Sequence, residues 1–187
     1  MFSRFVAKNG KEVVLRTPRW EDLDDLHELS DSLVNERAEF LQNEKMARRE
    51  EIDWLRHRLG ELEKNEVFCL IAGVDNKVIA ISKLSPRKGY ASHVGDIDAE
   101  VKNGYRDIGI GTELLKSLVS QARTLGLVLL ALSVYSTNKR AIHVYETMGF
   151  KEVGRIPRGF FKEGKYIDEI IMIKELDRSI ARQGYFS

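Results

Sequence analysis

Apolar residues recur along the chain in two spacings, every second residue in short segments and every third or fourth in longer ones. The first spacing is typical of strands and the second of helices. Two short apolar segments flank Asn9 and Gly10, a dipeptide that favours a tight hairpin turn. A helix is predicted after Pro18, where leucines stand at positions 23, 26, 29 and 33. A second helix is predicted over residues 49–64, with an apolar stripe formed by Ile52, Leu55, Leu59 and Leu62.

The rest of the chain continues this mixture. Apolar runs typical of strands cover residues 67–74, 77–84, 93–101, 127–134, 151–156 and 166–176. Helices are predicted between them, one from about residue 110 to Gly126 and one from the capping residue Asn138 to Met148. Strands and helices mixed in a chain of 187 residues, with no repeat or long linker, indicate a single α/β domain over residues 1–187.

Composition narrows the function classes mainly by exclusion. The net charge of +1 argues against a nucleic-acid or membrane surface. Cys69 is the only cysteine, so no intramolecular disulfide can form, and a cytoplasmic location is predicted. The first residues do not form a signal peptide, and no apolar run is long enough to span a bilayer. The four histidines show no metal-ligand spacing, so no metal is predicted.

Residues 106–111 read R-x-x-G-x-G at the predicted start of a helix. Backbone N–H groups at a helix start favour an anion, and glycines at 109 and 111 would let a phosphate approach closely. A strand-to-helix turn without a ligand is the other interpretation of two glycines. Two better-known phosphate motifs are absent, because Leu114 stands where a dinucleotide-binding loop needs its third small residue, and Thr112 stands where a P-loop needs lysine.

Two longer segments carry a family resemblance. VKNGYRDIGIGTELL and YSTNKRAIHVYETMGFKEVGR resemble the paired motifs of the GCN5-related N-acetyltransferases (GNAT), and GRIPRGFFKEGKYIDEIIMIKEL resembles the closing hairpin of that family. The resemblance covers roughly residues 12–176 and leaves 177–187 as a C-terminal tail. It implies an α/β (or α+β) GNAT fold, whose central sheet is mixed but mostly antiparallel. That sheet would have about six to seven strands and about four flanking helices, and would splay between the strands at 94–101 and 127–134.

The resemblance also implies acetyl-CoA as co-substrate and a set of residues that contact it. The pantetheine arm would meet the backbone of the strand at 94–101, and Arg106 would place a charge beside the pyrophosphate. Tyr145 would return a proton to the departing thiolate. The implied cofactor contacts are Ala99, Val101, Arg106, Asp107, Ile108, Gly109, Ile110, Gly111, Thr112, Asn138, Ala141 and Tyr145.

The general base is open between several acids. Alternation places Asp96, Asp98 and Glu100 on one face of their strand, where like charges would repel and raise one pKa. Asp96 aligns with an acidic position that some family members use as a base, so it is the first candidate and Glu100 the second. An acid between the first two helices is the alternative, and the candidates there are Glu36, Glu39 and Glu44.

The resemblance favours direct acetyl transfer from acetyl-CoA to a primary amine. The acids just named predict a small basic acceptor such as a polyamine, because they would attract a polycation. A protein N-terminal or lysine acetyltransferase is an alternative, and a non-catalytic acyl-CoA-binding module is an alternative of another class. The predicted partners are therefore a small amine or a peptide amine, with no nucleic acid or membrane, and a homodimer is allowed.

Overall fold

The computed structural model describes residues 2–39 and 44–176. Its strands are β1 (Phe2–Val6), β2 (Glu12–Arg16), β3 (Phe68–Val74), β4 (Lys77–Pro86), β5 (Val94–Val101), β6 (Leu129–Tyr135), β7 (Lys151–Lys162) and β8 (Lys165–Glu175). Its helices are α1 (Leu23–Asn35), α2 (Arg48–Glu63), α3 (Ile110–Thr124) and α4 (Lys139–Thr147). Short 3-10 turns lie at Trp20–Asp22 and Gly89–Ala91. The helices and strands predicted from the apolar spacing are confirmed, whereas the predicted tail at 177–187 lies outside the described residues.

The strands form one mixed sheet with the order β1-β2-β3-β4-β5-β6-β8-β7. This sheet has eight strands in the described residues, where the family resemblance implied about six to seven. β6 pairs antiparallel with β8, and β7 pairs antiparallel with β8 at the edge. β5 pairs with β6 in parallel, and this register joins only Val94–Asp96 to Leu129–Ala131. The splay between these two strands stays a prediction.

The chain divides into two compact units. The first unit comprises Met1–Lys83 and Asp98–Leu115, and the second comprises Leu84–Ile97 and Lys116–Ser187. Both β5 and α3 therefore contribute residues to each unit. The organisation of residues 1–187 as a single domain stays a prediction.

The core of the first unit consists of two apolar clusters. In one cluster, the helical stripe Leu26, Leu29 and Leu33 of α1 packs with Leu55 of α2 and Ile71 of β3. In the other, the first turns of α3 contribute Ile110 and Leu114 to a cluster of strand residues. The leucine stripe predicted for α1 is thus confirmed by burial, and α3 is anchored at its first residue.

The stripe predicted for α2 is only partly right. Leu55 is fully buried, but Ile52 is not, and Glu51 takes a buried position with 2% exposure. Glu51 stands one helical turn before Leu55 and therefore shares its face. Burial raises the pKa of the Glu51 carboxyl, against the opposing effect of His27, whose Nδ1 lies 3.7 Å from Oε2. Burial of a carboxylate beside an imidazole is a tertiary effect that apolar spacing alone does not show.

The second unit contains a packing requirement on β5. A Cβ atom added to Gly95 would lie 2.6 Å from Leu84 Cδ1 and 2.8 Å from Leu127 Cδ1. Glycine is therefore required at this position by the packing of leucines and not by a turn. In the same unit α4 ends as predicted, with Gly149 in the left-handed conformation at φ +84° and Phe150 buried.

Candidate active site

The segment between β5 and α3, residues 102–109, is the cradle loop. Its backbone enters the left-handed region at Gly104, Asp107 and Gly109, with φ values of +83°, +64° and +95°. Glycine adopts this conformation at low cost, which explains Gly104 and Gly109. The loop is also held from outside, because the Lys8 N–H donates to the Ile108 carbonyl at 3.1 Å. Asp107 and Ile108, two predicted cofactor contacts, thus lie in a turn whose shape the backbone fixes.

Residues 109–112, at the start of α3, are the segment predicted to bind the pyrophosphate, and we call them the phosphate cradle. The N–H of Glu113 bonds to the Gly109 carbonyl at 3.1 Å, so Ile110, Gly111 and Thr112 lie in the first turn of α3, where N–H groups lack helical partners. A Cβ at Gly109 would meet no atom within 4 Å, and one at Gly111 would meet only Val101 Cγ2 at 3.9 Å. Packing within the protein therefore does not require glycine at position 111, and binding of a pyrophosphate by these N–H groups stays a prediction.

Arg106 makes its hydrogen bonds within the first unit. Its Nε–H donates to the Val101 carbonyl at 2.7 Å, and an Nη2–H donates to the Glu36 carboxylate at the end of α1. Both side chains are largely buried, Arg106 with 24% and Glu36 with 19% exposure. A predicted phosphate contact and a candidate base are thus partners of each other. The Val101 carbonyl, in the segment predicted to contact pantetheine, is also engaged.

Two acids of β5 share the first unit with Lys83 of β4. The Lys83 ammonium lies 3.2 Å from an Asp98 carboxylate oxygen. Although 53% of the Asp98 side chain is exposed, the surrounding protein removes enough solvent to raise its pKa, against the lowering effect of Lys83. Burial raises the pKa of Glu100 to about 7, the Asp98 charge adds to that rise, and Lys83 opposes it. A carboxylate with this pKa can take up and release a proton near neutral pH, as a general base must.

Asp96 has a different environment, in the second unit. It accepts two hydrogen bonds from the Arg87 guanidinium, at 2.8 Å from Nε and 2.6 Å from Nη2. Such a bidentate pair occupies both oxygens of the carboxylate. Asp96 is thus present on the predicted strand face, but as half of an ion pair.

The glycine-containing start of α3 and the acidic strand β5 both lie in a region that matches a known protein family. The model of the acetyltransferase (GNAT) family matches residues 22–150. The chain belongs to the GNAT family. The family resemblance of the two sequence motifs is therefore confirmed.

Relatives of this GNAT chain are acetyltransferases of small or N-terminal amines by name. An L-methionine sulfoximine/L-methionine sulfone acetyltransferase from Pseudomonas aeruginosa is 31% identical over 77 residues, which cover 41% of this chain and 45% of that protein. An N-alpha-acetyltransferase from Sulfurisphaera tokodaii is 26% identical over 171 residues, covering 85% of this chain and 92% of that one. The chain thus matches about half the length of the first of these relatives.

A solved structure shows the same fold. The phosphinothricin acetyltransferase of the GNAT superfamily from Sinorhizobium meliloti, in complex with acetyl-CoA, superposes with a TM-score of 0.79 at 19% identity. The match covers 92% of this chain and 93% of that one. The GNAT fold predicted from sequence is confirmed by this likeness.

The second unit holds the remaining predicted site residues of this GNAT chain. Asn138 caps α4, because its Oδ1 accepts a hydrogen bond from the Ala141 N–H at 3.1 Å. Two predicted cofactor contacts therefore bind each other. Tyr145 lies on α4 with 8% exposure, and its ring packs edge-on against Phe150 with centroids 5.8 Å apart. Its role as proton donor stays a prediction.

The alternative bases between α1 and α2 are less available than the sequence indicated. Glu36 is paired with Arg106, as described above. Glu39 and Glu44 flank residues 40–43, which are outside the described residues, and each makes interactions of its own. A local sequence pattern cannot show the ion pair of Glu36, because its partner Arg106 is 70 positions away.

Three further observations concern the cysteine, metal binding and the helices. Cys69 is fully buried, and burial raises the pKa of its thiol to about 12, so it is unsuited to nucleophilic attack. In the described residues, no group of three or more His, Cys, Asp or Glu side chains is arranged to hold a metal ion. No helix of the described chain is long and apolar enough to cross a membrane.

Sequence analysis missed two positive side chains that act on the acids of β5, Lys83 and Arg87. Both lie on or directly after β4, and Arg87 also donates its backbone N–H to the Val94 carbonyl at 2.9 Å. A signal was available in principle, because two basic residues precede a strand with three acids by a hairpin-like distance. Which basic residue pairs with which acid depends on the geometry of the turn between β4 and β5, which the sequence does not show.

Proposed function

We propose that this GNAT protein is an N-acetyltransferase that moves an acetyl group from acetyl-CoA to a primary amine by direct attack. The observation that carries the proposal is Glu100, a carboxylate on β5 with a pKa raised to about 7. The open space around the Cβ positions of Gly109 and Gly111, next to the first-turn N–H groups of α3, supports close approach of the pyrophosphate. Both features lie in the first unit and serve the two halves of the reaction, cofactor binding and amine activation.

The proposed reaction needs three proton transfers. Glu100 takes a proton from the acceptor ammonium, the free amine attacks the thioester carbonyl, and the C–N bond forms as the C–S bond breaks. Tyr145 gives its phenolic proton to the departing thiolate, and the second proton of the attacking nitrogen passes through solvent to restore the phenol, which leaves a neutral amide. We place Glu100 before Asp96 as the base, because Arg87 occupies both Asp96 oxygens. The backbone N–H groups of β5 near Ala99 are proposed to polarise the thioester oxygen.

The acceptor that we propose is an α-amine, of an amino acid or of a peptide N-terminus. An α-amine at a peptide N-terminus has a pKa of about 8, whereas a lysine-like amine has a pKa of about 10. A base near 7 therefore takes a proton from an α-amine at lower cost. The names of the relatives above point in the same direction, since they act on amino acids or on N-alpha amines.

The polyamine acceptor remains the second candidate, and the ion pairs count against it. Attraction of a polycation requires a net negative surface. Glu36, Asp96 and Asp98 instead pair with Arg106, Arg87 and Lys83. Three of the six acids on which the polyamine prediction depended are therefore neutralised by a cation of the protein itself.

Isothermal titration with acetyl-CoA, CoA and NADH is the first test, followed by release of the CoA thiol with an amine panel. The panel contains a dipeptide, its N-blocked form, methionine sulfone and spermidine. We expect saturable acetyl-CoA binding, no NADH binding, and the highest kcat/KM for a free α-amine. Preference for spermidine would favour the polyamine acceptor. Binding without turnover on any amine would favour the non-catalytic acyl-CoA-binding module, and no binding would overturn the proposal.

A further inference from the structure

Arg106 and Glu36 connect two segments that the sequence separates by 70 positions. Arg106 belongs to the cradle loop, and Glu36 ends α1. The guanidinium bonds in two directions, to the Val101 carbonyl at the end of β5 and to the Glu36 carboxylate. Two of its three nitrogens, Nε and Nη2, thus donate to protein groups. An arginine that held phosphate would turn the same donors toward the phosphate cradle.

The anchor for this bridge is rigid. Glu36 is fixed by the end of α1, where its own N–H bonds to the Ser32 carbonyl at 3.0 Å and the Ala38 N–H bonds to the Leu33 carbonyl at 2.9 Å. Leu33 is buried with 2% exposure and belongs to the α1–α2 cluster. These bonds fix the backbone of Glu36, and its side chain is only 19% exposed, so its carboxylate can orient the arginine of the loop.

We infer that Arg106 is a positioning residue of the phosphate cradle, and that Glu36 acts on acetyl-CoA binding through it. The hydrogen bond from Arg106 to the Val101 carbonyl closes the cradle loop, and the hydrogen bond to Glu36 joins the loop to α1. Together they fix the position of the backbone that leads into Gly109–Thr112. The positive charge of Arg106 is used by Glu36 and not by the pyrophosphate. This inference rests on the proposed use of acetyl-CoA.

Two substitutions separate a positioning role from a phosphate contact by the sign of their effects. If Arg106 contacts phosphate, Glu36→Gln frees its charge and tightens acetyl-CoA binding, and Arg106→Lys keeps most of the affinity, since lysine binds phosphate as a point charge. If Arg106 positions the loop, Glu36→Gln weakens binding. Arg106→Lys then weakens it too, because an ammonium cannot reproduce the two-directional fork.

The chain offers a matched control on the same helix. Glu28 of α1 pairs with Lys102 of the cradle loop at 2.7 Å, but 58% of the Glu28 side chain is exposed. Glu28→Gln removes the same charge from α1 near the same loop, and exposed pairs contribute little. We expect its Kd for acetyl-CoA to stay within about twofold of the parent chain.

The experiment is isothermal titration of the full chain and the three variants with acetyl-CoA, with hydrogen exchange of the amides at 104–109 in the absence of ligand. We expect Glu36→Gln and Arg106→Lys each to raise Kd by about tenfold, as for one charge-assisted hydrogen bond, and to speed exchange in the loop. Tighter or unchanged binding of Glu36→Gln, with unchanged exchange, overturns the inference. If a variant loses its far-UV dichroism, the other variant decides. No binding by the parent chain refutes the proposed function instead.

Discussion

At the scale of single residues, Glu100 and Asp96 show how neighbours decide what a carboxylate can do. Both are acids on the same face of β5. Asp96 accepts two hydrogen bonds from one arginine, whereas burial raises the pKa of Glu100 to about 7. A base must be able to take up and release a proton near the working pH. The environment of Glu100, and not its identity as a glutamate, makes it the better candidate.

Substitutions of its two charged neighbours should shift the activity profile in opposite directions. Asp98→Asn removes a negative charge that raises the pKa of Glu100, so the rise of kcat/KM with pH should move to lower pH. Lys83→Met removes a positive charge that lowers this pKa, so the rise should move to higher pH. Steady-state rates across pH measure both shifts. Glu100→Gln is the reference, with a fall in kcat of about 10²-fold or more. Shifts of the same sign in both neighbours would exclude Glu100 as the titrating base.

Tyr145 allows a second prediction at this scale. Tyr145→Phe keeps the ring against Phe150 and removes only the hydroxyl. If Tyr145 protonates the thiolate, kcat should fall by about 10²-fold while the Kd for acetyl-CoA changes little. Single-turnover rates and isothermal titration measure the two quantities. An unchanged kcat would leave Tyr145 with a packing role only.

At the scale of elements, α2 and α3 each contain a glycine whose Cβ position is open. The glycine of α2 lies in the helix interior, whereas that of α3 lies in the first helical turn. Gly60 of α2 would accept a Cβ with no atom within 4 Å, and Gly111 of α3 would meet only a distant valine methyl. Glycine in a helix interior costs roughly 0.5–1 kcal/mol relative to alanine. At Gly111 this cost is matched by a function we propose, close approach of a phosphate.

The pair Gly111→Val and Gly60→Val tests that assignment. A valine side chain at 111 would fill the space before the first-turn N–H groups, so the Kd and KM for acetyl-CoA should rise by at least about tenfold. The valine at 60 should leave both constants unchanged. Urea unfolding should show both variants folded, because neither position is tightly packed. An unchanged Kd for Gly111→Val would reduce the two glycines to parts of a turn.

At the scale of the whole molecule, buried acids connect stability to pH. The pKa values of Glu51, Asp98 and Glu100 are all raised, with burial as the first cause. In the unfolded chain these groups return to ordinary values near 4, so the native state binds more protons in the range between. The free energy of unfolding should therefore fall as pH rises, from about pH 4.5 to about pH 7 for Glu100, and stay lower above it.

Glu100→Gln should remove its share of this decline. At about pH 4 the wild-type carboxyl is protonated in the folded chain and largely protonated in the unfolded chain, so the variant should be about equally stable, whereas at about pH 8 the variant should be more stable by roughly 1–3 kcal/mol. Urea denaturation at the two pH values measures the difference. Glu28→Gln is a control of opposite sign, because Lys102 lowers the pKa of Glu28, so loss of that pair should cost a little stability at the higher pH. A pH-independent effect of Glu100→Gln would contradict the raised pKa.

The sequence by itself determined the helices, the strands and the family. Apolar spacing reflects which side chains face a core, so it can be recognised in the sequence. Turn residues such as Asn9-Gly10 and Gly149 act within a few positions of themselves, so the turns and helix ends can be recognised as well. The turn and helix start at residues 109–112 could be predicted for the same reason, since the glycines and the helix start are neighbours in sequence, whereas phosphate binding there stays a proposal.

Only the tertiary structure decided how the charged residues are paired. Arg106 with Glu36, Lys83 with Asp98, and the burial of Glu51 depend on contacts between segments that are distant along the chain. Electrostatic interactions act over a few ångströms of space and are strengthened by burial, which no local pattern encodes. The sequence could therefore name the acids of β5, but the fold was needed to distinguish the ion-paired Asp96 from Glu100, whose pKa lies near neutral.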